Sequence, residues 1–147
     1  MSLPRVTIDA SVAVRWVLDD EANRAGALTV RRSLEAGSIV AVEPAHFLLE
    51  VAGVLDRAVR DGRIDGLEAR QALIALEGVG FDESPAMAVA GDAFEVAMSS
   101  GLRVADAAYL VCAARNGAQL ITADRCQLEA AALHGVPVTA LAELPLL

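Results

Sequence analysis

The chain has 147 residues, 55% hydrophobic and 22% charged, which suits one buried core and excludes a globally disordered protein. Its net charge of -8 excludes a protein that coats nucleic acid by charge alone. No run approaches the ~18 uninterrupted apolar residues of a membrane span. The start, MSLPRVTIDAS, also lacks a signal peptide's basic segment and apolar run, so a soluble, cytoplasmic protein with no membrane role is expected.

In chain order, RVTID at 5–9 reads as a short strand ending on Asp9. A helix from Ala10 to Leu18 follows, capped by Asp9 or Ser11. Trp16 falls in its apolar pattern, as core or as part of a dimer surface. A second helix is predicted from Glu21 to Glu35, closed by Gly37, and IVAV at 39–42 is a second strand. A longer helix spans 45–60 and stops at Asp61-Gly62; another covers 66–78. Residues 79–83 are a strand candidate. Helices follow over 86–99 and 105–116, the second halted by Asn116-Gly117. QLIT at 119–122 is a strand, 125–134 a helix, and VPVT at 136–139 the last strand. Cys112 and Cys126 have neither disulfide nor zinc spacing and read as small buried hydrophobes. No repeat or linker interrupts the chain, so one domain over 1–147 is expected.

Short apolar strands alternating with helices predict βαβ units, hence an α/β fold with a short central parallel sheet covered on both faces. Such folds bind ligands beyond the carboxyl ends of their strands, where the strand order reverses. Asp9 closes the first strand, and Asp124 follows QLIT by one residue. Either could equally be an ordinary helix cap. Asp106 stands at the start of its helix, as a cap or as a carboxylate held at the positive end. Glu50 is the least innocent of the four, because FLLEVAGVL surrounds it with apolar neighbours. Ion pairing to a nearby arginine is its plainer explanation.

Placed on one rim, two carboxylates about 4 Å apart repel by roughly 4 kcal/mol at an effective dielectric near 20. A hard divalent cation relieves that repulsion, and the purely oxygen donor set disfavours zinc and copper. Ser11 and Thr122 place hydroxyls beside these acids, where they could bond a carboxylate, a bound water or a phosphate. Arg15, Arg103 and Arg125 lie near the motifs and could hold an RNA backbone, although surface ion pairing is the commoner role. All 12 basic residues are arginine, a compositional bias that weakens this argument. The few aromatics, Trp16, Phe47, Phe81, Phe94 and Tyr109, do not suggest a base-stacking platform. His46 and His134 show no ligand spacing and read as structural.

IDAS near the start, LLEV some forty residues later, and VADAAYLVCAARNGAQLITAD together resemble the PIN-domain family, in particular the VapC-type toxins of toxin–antitoxin pairs. The resemblance covers essentially the whole chain. It implies a three-layer α/β/α, Rossmann-like domain with Asp9, Glu50, Asp106 and Asp124 as its acidic site. It also implies RNA cleavage with Mg2+ or Mn2+, homodimerisation and inhibition by a cognate antitoxin. Many relatives carry a further acidic residue soon after the fourth; here Arg125, Cys126 and Gln127 follow, so the resemblance supports one metal ion better than two. Some relatives have an aromatic before the third acid, where this chain has Ala105.

The mechanism expected from this resemblance is metal-assisted, in-line attack of water on a phosphodiester. Asp9, Asp106 and Asp124 would be ligands, and Glu50 either a ligand or the base. The rival readings are a non-catalytic PIN-like interaction module and a stand-alone PIN nuclease without an antitoxin. A nucleophilic-aspartate phosphatase is disfavoured, because Ser11 stands where its second Asp would be.

Overall fold

The strand-to-helix punctuation of the sequence is realised in the following order: β1 Arg5–Ile8, α1 Ala10–Val14, α2 Arg24–Glu35, β2 Val40–Pro44, α3 Phe47–Arg60, α4 Gly66–Glu77, β3 Asp82–Ser84, α5 Ala86–Ser100, α6 Val104–Arg115, β4 Gln119–Thr122, α7 Arg125–His134 and β5 Val138–Ala140, with a closing 3-10 turn Leu141–Glu143. This computed structural model describes residues 2–144; Met1 and residues 145–147 of the expected 1–147 domain lie outside the described residues.

The five strands form one parallel sheet in the order β3-β2-β1-β4-β5. The inner strands β1, β2 and β4 are buried almost throughout, as near-continuous apolar runs must be when helices cover both faces. Residues 107–113 of α6 are all buried, and that helix crosses β1, β2 and β4. α1 packs against α3 and touches β1 and β4, completing the α/β/α layering. The chain leaves β1 towards β2 and later enters β4 on the other side of β1. The β1/β4 boundary is therefore the switch point, and the crevice beyond it opens at the strands' carboxyl ends.

Several boundaries differ from expectation for local reasons. The first helix stops at Val14 because Arg15 turns back, donating to Ser11 O at 2.6 Å and Ala22 O at 2.7 Å. Asn23 adopts φ 62°, a left-handed conformation that cannot continue a helix, so α2 begins at Arg24 rather than Glu21. β2 runs on to Pro44 because it pairs with β3, which moves the start of α3 from 45 to Phe47. Trp16 is core and not a dimer surface: it is 5% exposed and its indole N–H donates to Ala27 O at 2.7 Å. Cys112 is buried as expected; Cys126 is exposed in the first turn of α7, which corrects its reading as a buried hydrophobe. Gly101, at φ 78°, supplies the left-handed turn by which α5 and α6 meet at 117° and α6 starts at the rim. Among the described residues, no single helix is long and apolar enough to cross a membrane.

Candidate active site

Asp9 sits where β1 becomes α1, at the switch point. Its backbone N–H donates to Ile121 O on β4 at 3.0 Å, so the residue itself bridges the two strands. Its carboxylate caps α1, with Oδ2 accepting from Ser11 N at 3.0 Å. Oδ1 accepts from Gln127 Nε2 at 3.1 Å. Only 7% of Asp9 is exposed, and burial raises its pKa. The Ser11 and Gln127 hydrogen bonds oppose that shift, while the negative charge of Glu50 adds to it.

Asp124 caps α7 across the same crevice. Its Oδ1 accepts from Cys126 N at 2.7 Å and Gln127 N at 3.2 Å, and its own N–H donates to Thr122 Oγ1 at 2.9 Å. The two hydroxyls singled out in the sequence both lie on this rim, but they serve the scaffold. Thr122 donates to Gln127 Oε1 at 2.6 Å, and Ser11 Oγ accepts from Ala123 N at 3.3 Å.

Asp106 occupies the first turn of α6, where free N–H groups favour a negative charge. Both of its oxygens face Arg103: Oδ2 lies 3.0 Å from Nε, and Oδ1 lies 3.4 Å from Nη2. Glu50, in a helix predicted from 45, stands in the first turn of α3, which begins at Phe47. Its side chain is 26% exposed, and His46 Nε2 lies 2.8 Å from its Oε1. The His46 N–H is directed instead at Ala105 O, 2.9 Å away, so the buried Oε1 has no well-aimed donor. His46, read from sequence as structural, thus stands between Glu50 and the start of α6. The Glu50 contact, foremost, raises its pKa.

The four acids share one electrostatic neighbourhood. Asp9 feels Glu50; Arg103 feels Asp106, Glu50 and Asp124; His46 feels Glu50 and Asp106. They do not converge on a single point: among the described residues, no three His, Cys, Asp or Glu side chains form a ready-made cation cage. Each is held apart by its own contact, to Gln127, His46, Arg103 or the α7 cap.

Two residues here escaped the sequence reading. Gln127 is fully buried and links three motifs, receiving Thr122 and donating to Asp9 and to Asp106 O at 3.2 Å. It is one of the three residues standing where many relatives carry a further acid, and its neutral amide can donate to Asp9 where a carboxylate would repel it. Glu43 is 2% exposed on β2. Its Oε1 accepts from Ile8 N at 2.7 Å, while Oε2 has no partner. Burial, with Asp9 nearby, pushes its pKa well above the usual carboxylate value. The signal for it was an acid directly before Pro44 in an otherwise apolar strand. The Tyr109 hydroxyl is also buried without a partner, in the field of Asp9, Glu50 and Glu43. The orphaned atoms of Glu43, Glu50 and Tyr109 mark the polar interior behind the rim.

A cavity of about 500 Å3 is lined by residues including Ser99, Arg115 and His134 and by none of the four acids. Its Ser99 hydroxyl donates to Val96 O and meets His134 Nε2 at 3.0 Å.

In a parallel α/β sheet ligands bind in the crevice beyond the strands' carboxyl ends at the switch point, and here acidic side chains border that crevice. Residues 6–133 match the family model described as the PIN domain, and the chain belongs to that family. No protein of curated function matches its sequence. Among solved structures it is similar to PAE2754 of Pyrobaculum aerophilum, with TM-score 0.71 and 19% identity over 97% of this chain and 86% of that one. It is also similar to VapC20 of Mycobacterium tuberculosis, described as a toxin cleaving the sarcin–ricin loop, with TM-score 0.64 and 18% identity over 85% and 94%. A third is VapBC2 of Rickettsia felis, bound to a fragment of promoter DNA, with TM-score 0.61 and 9% identity over 92% and 98%. At these identities the likeness is one of fold.

Proposed function

We propose that the chain is a divalent-metal-dependent endoribonuclease acting on RNA phosphodiesters, and the toxin of a toxin–antitoxin pair. The observation that carries this reading is the acidic rim: Asp9, Glu50, Asp106 and Asp124 share one electrostatic neighbourhood at the switch point of a PIN fold. The donor set is all oxygen and suits Mg2+ or Mn2+. The spacing asks for side-chain adjustment, since each acid keeps a separate partner. Asp9, Asp106 and Asp124 would hold the ion, which supplies positive charge against the phosphate and activation of the attacking water. Gln127 aims Asp9, and Glu50, 26% exposed on the same rim, would serve either as a further ligand or as the base for the attacking water.

The test is cleavage of RNA in Mn2+ or Mg2+. It is expected to disappear in EDTA and in Asp106→Asn. Full cleavage in EDTA, or by that variant, refutes the reading. A folded protein that cuts no RNA under any metal condition would favour the non-catalytic interaction module.

The partners belong to the same proposal. Met87, Phe94 and Met98 are 97%, 52% and 69% exposed on α5, at spacings that share one helix face. Gly91 lies between them with open space beside it. A self-complementary stripe of this kind suits a two-fold contact with a second copy. Phe94→Glu is expected to convert a dimer to a monomer in sedimentation equilibrium; a native chain that is already monomeric at micromolar concentration refutes the dimer. The antitoxin is supported by the VapBC2 fold likeness. A small reading frame adjacent to this gene would be its source, and its absence would favour a stand-alone nuclease in the cytoplasm.

A further inference from the structure

We infer that Arg103 is the acidic site's own counter-cation: it holds Asp106 in a fork when no metal is bound, and a divalent ion must displace it. The inference rests on the proposed metal site and concerns how that site is gated.

Three observations carry it. The fork is two-pronged, with Nε at 3.0 Å and Nη2 at 3.4 Å from the two oxygens of Asp106, so the carboxylate's outward face is occupied. The same guanidinium lies in the field of Glu50 and Asp124, which makes it a charge shared by the rim and not a private partner of one acid. Arg103 is itself 80% exposed, whereas Asp106 is 15% exposed. Its other side is solvent, and among the described residues its guanidinium bonds Asp106 alone. The other arginines near the motifs are tied elsewhere: Arg15 to Ser11 O and Ala22 O, and Arg125 to Glu129.

The physical consequence is competition. A dication and a guanidinium cannot both sit within a few ångströms of Asp106 without repelling one another. An exposed pair is worth little, so the arginine is released at small cost. Once released, it stands at the mouth of the site, where a planar cation suits a phosphate oxygen pair. Arg103 is thus a positioning residue that exchanges one anionic partner for another.

Titration calorimetry with Mn2+ alone, without RNA, tests this on the native chain, Arg103→Gln and Arg103→Lys. Arg103→Gln is expected to bind Mn2+ about 3- to 10-fold more tightly than the native chain, the order expected from removing one screened charge. Arg103→Lys, a point charge without the fork, should fall between them. Thermal melting should leave all three proteins equally folded without metal. Equal Mn2+ affinity in native and Arg103→Gln chains, with binding intact, overturns the counter-cation and leaves the metal site standing. Absence of Mn2+ binding in both overturns the metal site, and the inference with it.

Discussion

Asp9→Asn is expected to lower metal-dependent RNA cleavage by about a thousandfold or more while the protein stays folded. The expected loss follows from its position. Asp9 is the only one of the four acids that bonds across the β1/β4 boundary, through its N–H to Ile121 O, so its carboxylate is fixed where the crevice begins. Under the proposed metal role, losing one charged oxygen ligand is worth several kcal/mol, and each 1.36 kcal/mol is tenfold in rate. The fold should tolerate the change because asparagine keeps an oxygen for Ser11 N, and the cap survives. What is lost is one hydrogen bond with Gln127, about 0.5–1.5 kcal/mol. Relief of the buried charge facing Glu50 offsets that loss. Single-turnover cleavage and thermal melting decide the matter together. An active variant removes Asp9 from the site, and an unfolded one makes it a structural cap.

Glu43→Gln is expected to stabilise the protein at pH 8 by about 1–3 kcal/mol, the scale of a buried polar group left unsatisfied. The direction follows from the pKa shift. An unfolded glutamate ionises near its ordinary value of 4.5, whereas in the fold burial, with Asp9 adding, holds the Glu43 proton to higher pH. Between those two pH values the folded chain binds more protons than the unfolded chain, so stability falls as pH rises through that window. Below it both states are protonated and the loss vanishes. Glutamine keeps the oxygen that Ile8 N needs and carries no charge at any pH. The advantage of Glu43→Gln should therefore appear above the ordinary glutamate range and shrink towards pH 4. Melting temperatures of both proteins from pH 4 to 9 test this, at about 2–4 °C for each kcal/mol. Asp9, also raised by burial, gives a background trend of the same sign in both proteins. Parallel curves would show that Glu43 is ionised and satisfied in the fold.

Much of the architecture was legible in the sequence because strand and helix signals here are local. RVTI, QLIT and the run from Val104 to Arg115 sit where their patterns placed them, and Asp124 and Gly135 bracket α7 with a cap and a left-handed stop. Boundaries failed where a distant group intervened. Pro44 ends β2 because β3 pairs with it, and α1 is cut short by a side chain folding back on its own carbonyls. The His46–Glu50 contact follows the i,i+4 spacing of one helix, whereas the bond from His46 to Ala105 O spans 59 positions that no spacing rule connects. Glu43 was passed over because its partner is a backbone N–H 35 positions away, which no spacing rule connects.

The sequence by itself determined that this is a parallel α/β chain whose acids at 9, 106 and 124 follow strand ends or begin helices and whose acid at 50 lies in an apolar helix, since periodicity and capping chemistry act within a few residues. Only the tertiary structure decided what those acids face. The strand order β3-β2-β1-β4-β5 puts Asp9 and Asp124 across one crevice, and it brings Gln127, 118 positions from Asp9, into hydrogen-bond contact with it. The same packing buries Glu43 behind the rim and leaves Arg103 in front of it. Charge acts through space and through the medium between groups, so burial and neighbours across the sheet switch, and not order along the chain, set the state of this site.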